Sequence, residues 1–264
     1  MTPKTTNEPQ TWRDVWTLAE QKEGRLHPVS YELLERGRKL ADARNCRLCA
    51  VVIGFQVLKD DLQELIERGA DVIYLVQDER LKDFLVETHA RVLRFLIDSY
   101  QPEIMIAAAT TTGRTLMPYV SAQIRAGLTA DCTGLEIDPE SGLLLQTRPA
   151  IGGNIMATIK TPTARPQMAT VRPKSSRIPD RIPGRAGEIK AIDFQNEKLP
   201  SRVKFERYRP DESGSASIED ADVIIAGGAG VKTADGFAVI EKLAQRLNGS
   251  VGASRPCVDH GWQP

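Results

Sequence analysis

The sequence predicts an α/β protein. A doubly wound, mostly parallel sheet carries an antiparallel extension, and a second, smaller βαβ unit follows it. Three observations predict this. Short apolar runs of strand length alternate with helical-period segments up to about residue 127. Helical periodicity then vanishes after Leu128 and gives way to short runs broken by prolines. From Ala221 a β-branched run, a glycine turn, an amphipathic stretch and a second short run succeed one another. The 264 residues suffice for one large or two medium domains with a substantial core.

Taken in order, Val15, Trp16 and Leu18 mark a first strand within 11–21, where apolar and polar residues alternate. Pro28 and Ser30 open a helix, with Ser30 as N-cap and Leu33, Leu34, Leu40 and Ala41 on its inner face. Residues 48–54 (LCAVVIG) are a buried strand, and a helix over 59–68 ends at Gly69. Residues 71–76 form the next strand, and one long helix is expected over about 79–99, with Leu81, Phe84, Leu85, Val92, Leu93 and Leu96 inward. A fourth strand covers 103–110. A turn and helix follow over 110–127, and Thr110, Thr111, Thr112, Gly113 and Arg114 stand where open α/β sheets bind ligands. They suit a phosphate, or else cap the helix and leave Arg114 to a partner chain.

Past Leu128, strands at 135–137 and 143–148 flank a hairpin turn, Asp138 to Gly142. Strands over 154–160 and 167–172 complete the antiparallel extension. Residues 173–188 read as an extended linker, two more strands are expected at about 188–194 and 201–208, and Asp211 to Ala216 is a polar hinge. Val223, Ile224 and Ile225 then form a strand expected to be buried on both faces. Phe237, Ile240, Leu243, Ala244 and Leu247 share a helical face, Gly249 caps that helix, and 250–254 is the second strand. The glycines at 227, 228 and 230 let backbone approach a dinucleotide pyrophosphate at the first crossover, or simply make a tight turn without a ligand.

Formal net charge is zero and the charges are mixed, which argues against a nucleic-acid surface. No apolar run approaches the roughly 20 residues that span a bilayer. The first ten residues carry neither a signal-peptide core nor a transit-peptide pattern, so a cytoplasmic location is expected. Four cysteines include a CxxC pair, Cys46 and Cys49, read as ordinary thiols or as a redox dithiol. The three histidines, His27, His89 and His260, belong to no ligand motif.

Three long blocks carry a family resemblance. They are GRTLMPYVSAQIRAGLTADCTGLEID (113–138), QTRPAIGGNIMATIKTPTARPQMATVRP (146–173) and ADVIIAGGAGVKTADGFAVIEKLAQRLNGSVGASRPCVDHGW (221–262). In this order they closely resemble the α subunit of the electron transfer flavoprotein. The resemblance implies a first domain over 11–205 of the adenine nucleotide alpha hydrolase-like type, with no nucleotide of its own and its hairpins toward a β subunit. A linker over 206–216 and a Rossmann-like FAD-binding domain from 217 to 264 would follow. By the same resemblance Gly227, Gly228, Ala229 and Gly230 approach the FAD, and Ser254 and Arg255 contact the flavin. A second FAD or an AMP is expected in the β subunit. The implied donor is a dehydrogenase of the acyl-CoA dehydrogenase type, and the implied acceptor a quinone reductase or a ferredoxin. A guanidinium at Arg255 would favour the anionic reduced flavin and raise its potential.

The sequence departs from the family pattern in three places. Ala229 stands where many members carry arginine, and Ile151 where phenylalanine is usual. The family continues past the position of Pro264 through QVGQTG-type and SGA-type segments, so an incomplete FAD cradle that binds FAD weakly by itself is expected. Two other functions compete with this one. A free-standing nucleotide-binding enzyme would need a phosphate loop that Gly54-Phe55-Gln56 does not offer. A scaffold for the β subunit without its own redox cofactor needs only the first domain.

Overall fold

A computed structural model describes residues 12–150, 155–194, 197–199, 201–207, 218 and 221–263. The chain divides into two compact units, the first ending at Phe205 and the second beginning at Glu206.

The first unit opens with β1 (Val15–Ala19), a small hairpin of β2 (Gln21–Lys22) and β3 (Arg25–Leu26), and α1 (Pro28–Ala43). Next come β4 (Leu48–Gly54), α2 (Lys59–Glu67), β5 (Val72–Gln77), α3 (Val86–Tyr100), β6 (Ile104–Ala108) and α4 (Thr111–Ile124). Then follow β7 (Leu128–Cys132), β8 (Gly134–Ile137), β9 (Leu144–Pro149), β10 (Met156–Ile159), β11 (Gln167–Val171) and β12 (Glu188–Ala191). Seven strands form one sheet in the order β12-β5-β4-β1-β6-β11-β7. Every pairing in it is parallel.

Side chains alternate between two cores, as the period of two along a strand requires. Val15, Leu48, Ala50, Val52, Ile104 and Ile106 face α1 and α2, with Leu33, Leu34, Leu40, Leu62 and Leu65 from those helices. Trp16, Leu18, Val51, Ile53, Met105 and Ala107 face the other side, with Val92, Leu93, Leu96, Leu116, Met117 and Val120 from α3 and α4. Layers of helix, sheet and helix therefore bury the central strands on both faces. All five residues of β1 are buried, so the alternation there does not mark a half-exposed strand.

Other expectations are corrected. His27, not Ser30, caps α1, its Nδ1 accepting from the Val29 N–H. Ser30 lies inside the helix, where its hydroxyl donates to the Glu20 carbonyl and accepts from the Glu20 N–H. The single helix over 79–99 is broken. A 3₁₀ turn, Glu79–Leu81, is capped by the Asp78 carboxylate, and α3 starts only at Val86, with Phe84 outside it. The strand at 167–171 belongs to the parallel sheet, between β6 and β7, whereas β8, β9 and β10 form a separate antiparallel sheet. Residues 201–207 hold no strand. The extended linker over 173–188 carries no helix or strand before β12 and is tied to α1, where the Glu32 carboxylate accepts N–H bonds from Lys174, Ser175 and Ser176 at 2.8–2.9 Å. The hinge at 211–216 and Ile151 lie outside the described residues.

The second unit contains β13 (Ile224–Gly227), α5 (Phe237–Arg246), β14 (Ser250–Ala253) and the short α6 (Arg255–Asp259). β13 and β14 pair in parallel, so the crossover through α5 makes a βαβ unit. Among the described residues this sheet has two strands, and Val223 and Ile224 are exposed rather than buried on both faces. Phe237 and Ala244 are buried, while Val239, Leu243 and Leu247 of α5 are exposed. Asn248 (φ +50°) takes the left-handed position after α5, and Gly249 is the next residue. Gly249 meets a different need: an added Cβ would lie 2.6 Å from the Val223 carbonyl oxygen.

Candidate functional site

Ligands in parallel α/β sheets bind beyond the carboxyl ends of the strands. Each unit has one such place.

In the first unit the strand order reverses between β1 and β6. Glu20 follows β1 there, and Thr110 follows β6. The Thr110 hydroxyl donates to Glu20 Oε1 at 2.6 Å and accepts from the Gly113 N–H, which caps α4 from within the chain. Burial pushes the Glu20 carboxyl above its usual range, against the lowering effect of that hydrogen bond. Gly113 sits so close to β6 that a Cβ would lie 1.8 Å from the Ala108 oxygen. Arg114 pairs with Asp131 of its own chain at 3.2 Å, and Arg172 holds the same carboxylate at 2.7 Å. Of the positions expected to suit a phosphate, Thr110 is thus engaged by the Glu20 carboxyl and the helix cap, and Arg114 by Asp131.

In the second unit the chain leaves β13 at Gly227, turns through Gly228, and enters a 3₁₀ turn over Ala229–Val231. Beside it, β14 ends at Ala253, and Ser254 stands at the N-cap position of α6 without a side-chain cap bond. The Ser254 N–H donates to the Gly227 carbonyl at 2.9 Å, which locks the two strand ends side by side. The glycines differ in their reasons. At Gly227 a Cβ would strike Ile240 and Phe237 at 2.6 Å, so glycine is needed for helix packing. At Gly228 the first atom met is Ser254 Oγ at 3.8 Å, and at Gly230 nothing lies within 4 Å. These two leave open space against the backbone, as a closely approaching ligand requires. The Arg255 side chain is 90% exposed and pairs with Asp259 at 3.6 Å. The structure therefore brings together Gly227, Gly228 and Ser254, with Ala229 and Gly230 in the adjoining turn and Arg255 as the neighbouring cation.

One residue of this corner escaped the sequence reading. Cys257 is fully buried, with Sγ 3.4 Å from Ser254 Oγ and 3.7 Å from the Gly227 oxygen. Its position three residues after Ser254 on a helical turn is the signal that could have found it.

The CxxC pair is no dithiol centre. Cys49 packs with Trp16 on one face of the sheet and Cys46 with the core on the other. Both are free, and burial pushes both thiols up, away from the reactive thiolate. Among the described residues no cluster could hold a metal ion, and no helix is long and apolar enough to cross a membrane.

Comparison with known proteins decides the family. The electron transfer flavoprotein domain matches residues 15–196, and the electron transfer flavoprotein FAD-binding domain matches residues 217–264. This chain belongs to the electron transfer flavoprotein α-subunit family. The electron transfer flavoprotein subunit alpha of Thermoanaerobacterium thermosaccharolyticum is 43% identical over 251 residues, covering 95% of this chain and 76% of that relative. The protein of the same name from Megasphaera elsdenii is 39% identical, over 95% of this chain and 75% of the relative. Protein FixB of Azorhizobium caulinodans is 38% identical, over 96% and 69% respectively. FAD is the cofactor of this flavoprotein family, the second unit is its FAD-binding domain, and an α subunit implies a β-subunit partner. The open glycine turn, the Ser254 hydroxyl and the exposed Arg255 guanidinium fit a dinucleotide with a reducible, anion-forming ring.

Proposed function

We propose that this chain is the FAD-carrying subunit of a heterodimeric, cytoplasmic electron carrier. It accepts electrons from a dehydrogenase of the acyl-CoA dehydrogenase type and delivers them to a quinone reductase or a ferredoxin. The observation that carries the reading is the corner at the ends of β13 and β14, where open backbone at Gly228 and Gly230 lies beside Ser254 and an exposed Arg255. Four unpaired cysteines suit a reducing compartment.

FAD, when bound, supplies the redox ring; the protein supplies position and charge. Gly228 and Gly230 admit the ligand to the backbone. Ser254 offers a hydroxyl at the edge of that space. Arg255 brings a permanent positive charge, which favours electron uptake by a neighbouring ring. Asp259, 3.6 Å away, tethers the guanidinium through one turn of α6. The first unit's closed crevice at Glu20 and Thr110 supports a grip on the β subunit rather than a nucleotide site of its own.

The test is the chain purified with its β subunit. A coloured heterodimer with bound FAD is expected, and Arg255→Ala should lower both FAD affinity and midpoint potential. A colourless heterodimer that stays colourless when offered FAD would overturn the reading. Flavin counted per heterodimer separates the two modes of carriage. One FAD with an AMP fits transfer of single electrons, and two FAD fit bifurcation from NADH.

A further inference from the structure

We propose that Cys257 is a positioning residue for the Ser254 hydroxyl, acting as a rotating thiol donor that sets whether that hydroxyl points inward or toward the flavin. The proposal rests on the reading of Ser254 as a flavin-facing group.

Three distances carry it. Cys257 Sγ is 3.4 Å from Ser254 Oγ and 3.7 Å from the Gly227 oxygen, and the Ser254 N–H already donates to that same oxygen at 2.9 Å. The Gly227 carbonyl has a second lone pair, and the thiol is the group placed to use it. The Cys257 N–H donates to the Ser254 carbonyl at 2.8 Å, so the backbone holds the thiol against the hydroxyl. The side chain has no exposed surface.

A thiol carries one proton, and only one of its two neighbours can take it at a time. With the S–H on the Gly227 oxygen, the sulfur's lone pair accepts from Ser254, and the hydroxyl faces inward. With the S–H turned onto Ser254 Oγ, the hydroxyl proton is released outward. Beside that hydroxyl the missing side chain of Gly228 leaves room for a ligand acceptor. A bound acceptor therefore selects the second arrangement, and rotation about the Cβ–Sγ bond is all that the switch requires. No proton leaves the pair. The thiol's donation onto Ser254 Oγ also strengthens the hydroxyl as a donor.

A buried cysteine that merely fills space makes opposite forecasts. A serine in its place would then be worse than alanine, because a hydroxyl costs more to bury. The test uses the chain co-expressed with its β subunit, stripped of flavin and titrated with FAD by fluorescence. Cys257→Ala should weaken FAD binding by about three- to tenfold, the worth of one hydrogen bond, and Cys257→Ser should restore most of it. The infrared S–H band that Cys257→Ala removes should shift when FAD is added to the unaltered protein. Should Cys257→Ala fail to fold, the infrared band, assigned by its loss in Cys257→Ser, still decides. The proposal is overturned if Cys257→Ala keeps wild-type affinity, if Cys257→Ser binds no better than Cys257→Ala, or if the band does not move. Failure of the site reading looks different: Ser254→Ala and Arg255→Ala would both bind FAD like the wild type.

Discussion

Glu20 holds a half-buried carboxyl, and loss of water around it disfavours its charged form. Its pKa is raised in the fold, so its contribution to stability is fully present at acid pH and is lost as pH rises through that raised value. Glu20→Gln keeps an acceptor for the Thr110 hydroxyl and removes the titration. Urea midpoints of the variant should stay flat where those of the wild type fall with rising pH. His89 has the opposite sign. Its ring is buried against Phe84, with Nδ1 3.0 Å from the Leu85 carbonyl, and burial lowers its pKa to about 4. The unfolded chain takes up that proton near 6.5, so stability drops as pH falls from about 6.5 toward 4, by on the order of 3 kcal/mol. His89→Gln should remove that acid-side slope in a pH series of denaturation curves. Arg255→Lys should recover only part of what Arg255→Ala loses in flavin potential, because a lysine lacks the planar fork.

At the scale of elements, the segment after β11 is held by a carboxylate rather than by strand pairing. Glu32 on α1 takes three backbone N–H bonds from 174–176, and Arg36 reaches the Ser175 carbonyl at 2.9 Å. Glu32→Ala leaves those donors without their acceptor, and trypsin should then cut at Lys174 and Arg177 several times faster, with α1 itself retained. This attachment was illegible in the sequence because it joins residues more than 140 positions apart. What was legible was local. The apolar runs at 48–54 and 72–77 are strands because their β-branched residues suit burial on both faces. The break before α3 was not legible. Leu81 and Val92 keep a helical period across it, but the Asp78 carboxylate binds the Arg80 N–H and guanidinium and turns the chain. The site was legible where it lies in one contiguous stretch, as with the glycine turn and Ser254. The thiol beneath it has a local signal in its spacing of three from Ser254, but its contact with Gly227, thirty positions away, has none.

On the scale of the whole molecule, the two units bury apolar surface very differently. The first has two cores on either side of seven strands, whereas the second buries few large side chains, chiefly Phe237. A ligand held only by the second unit stabilises only that unit. Calorimetry should therefore show FAD shifting one transition and leaving the other in place, with a gain of about 2.7 kcal/mol at a hundredfold excess over Kd. The order of the strands also carries a timetable. β11 lies between β6 and β7, although β7 is synthesised first. The earlier strand has no edge to join until the later one arrives, so β7 must wait. A ribosome-tethered chain stalled before Gln167 has left the exit tunnel should hold β1, β4, β5 and β6 protected from hydrogen exchange and β7 open. Releasing a few more residues should close both strands together, as a zip fastener shuts only after its slider has passed.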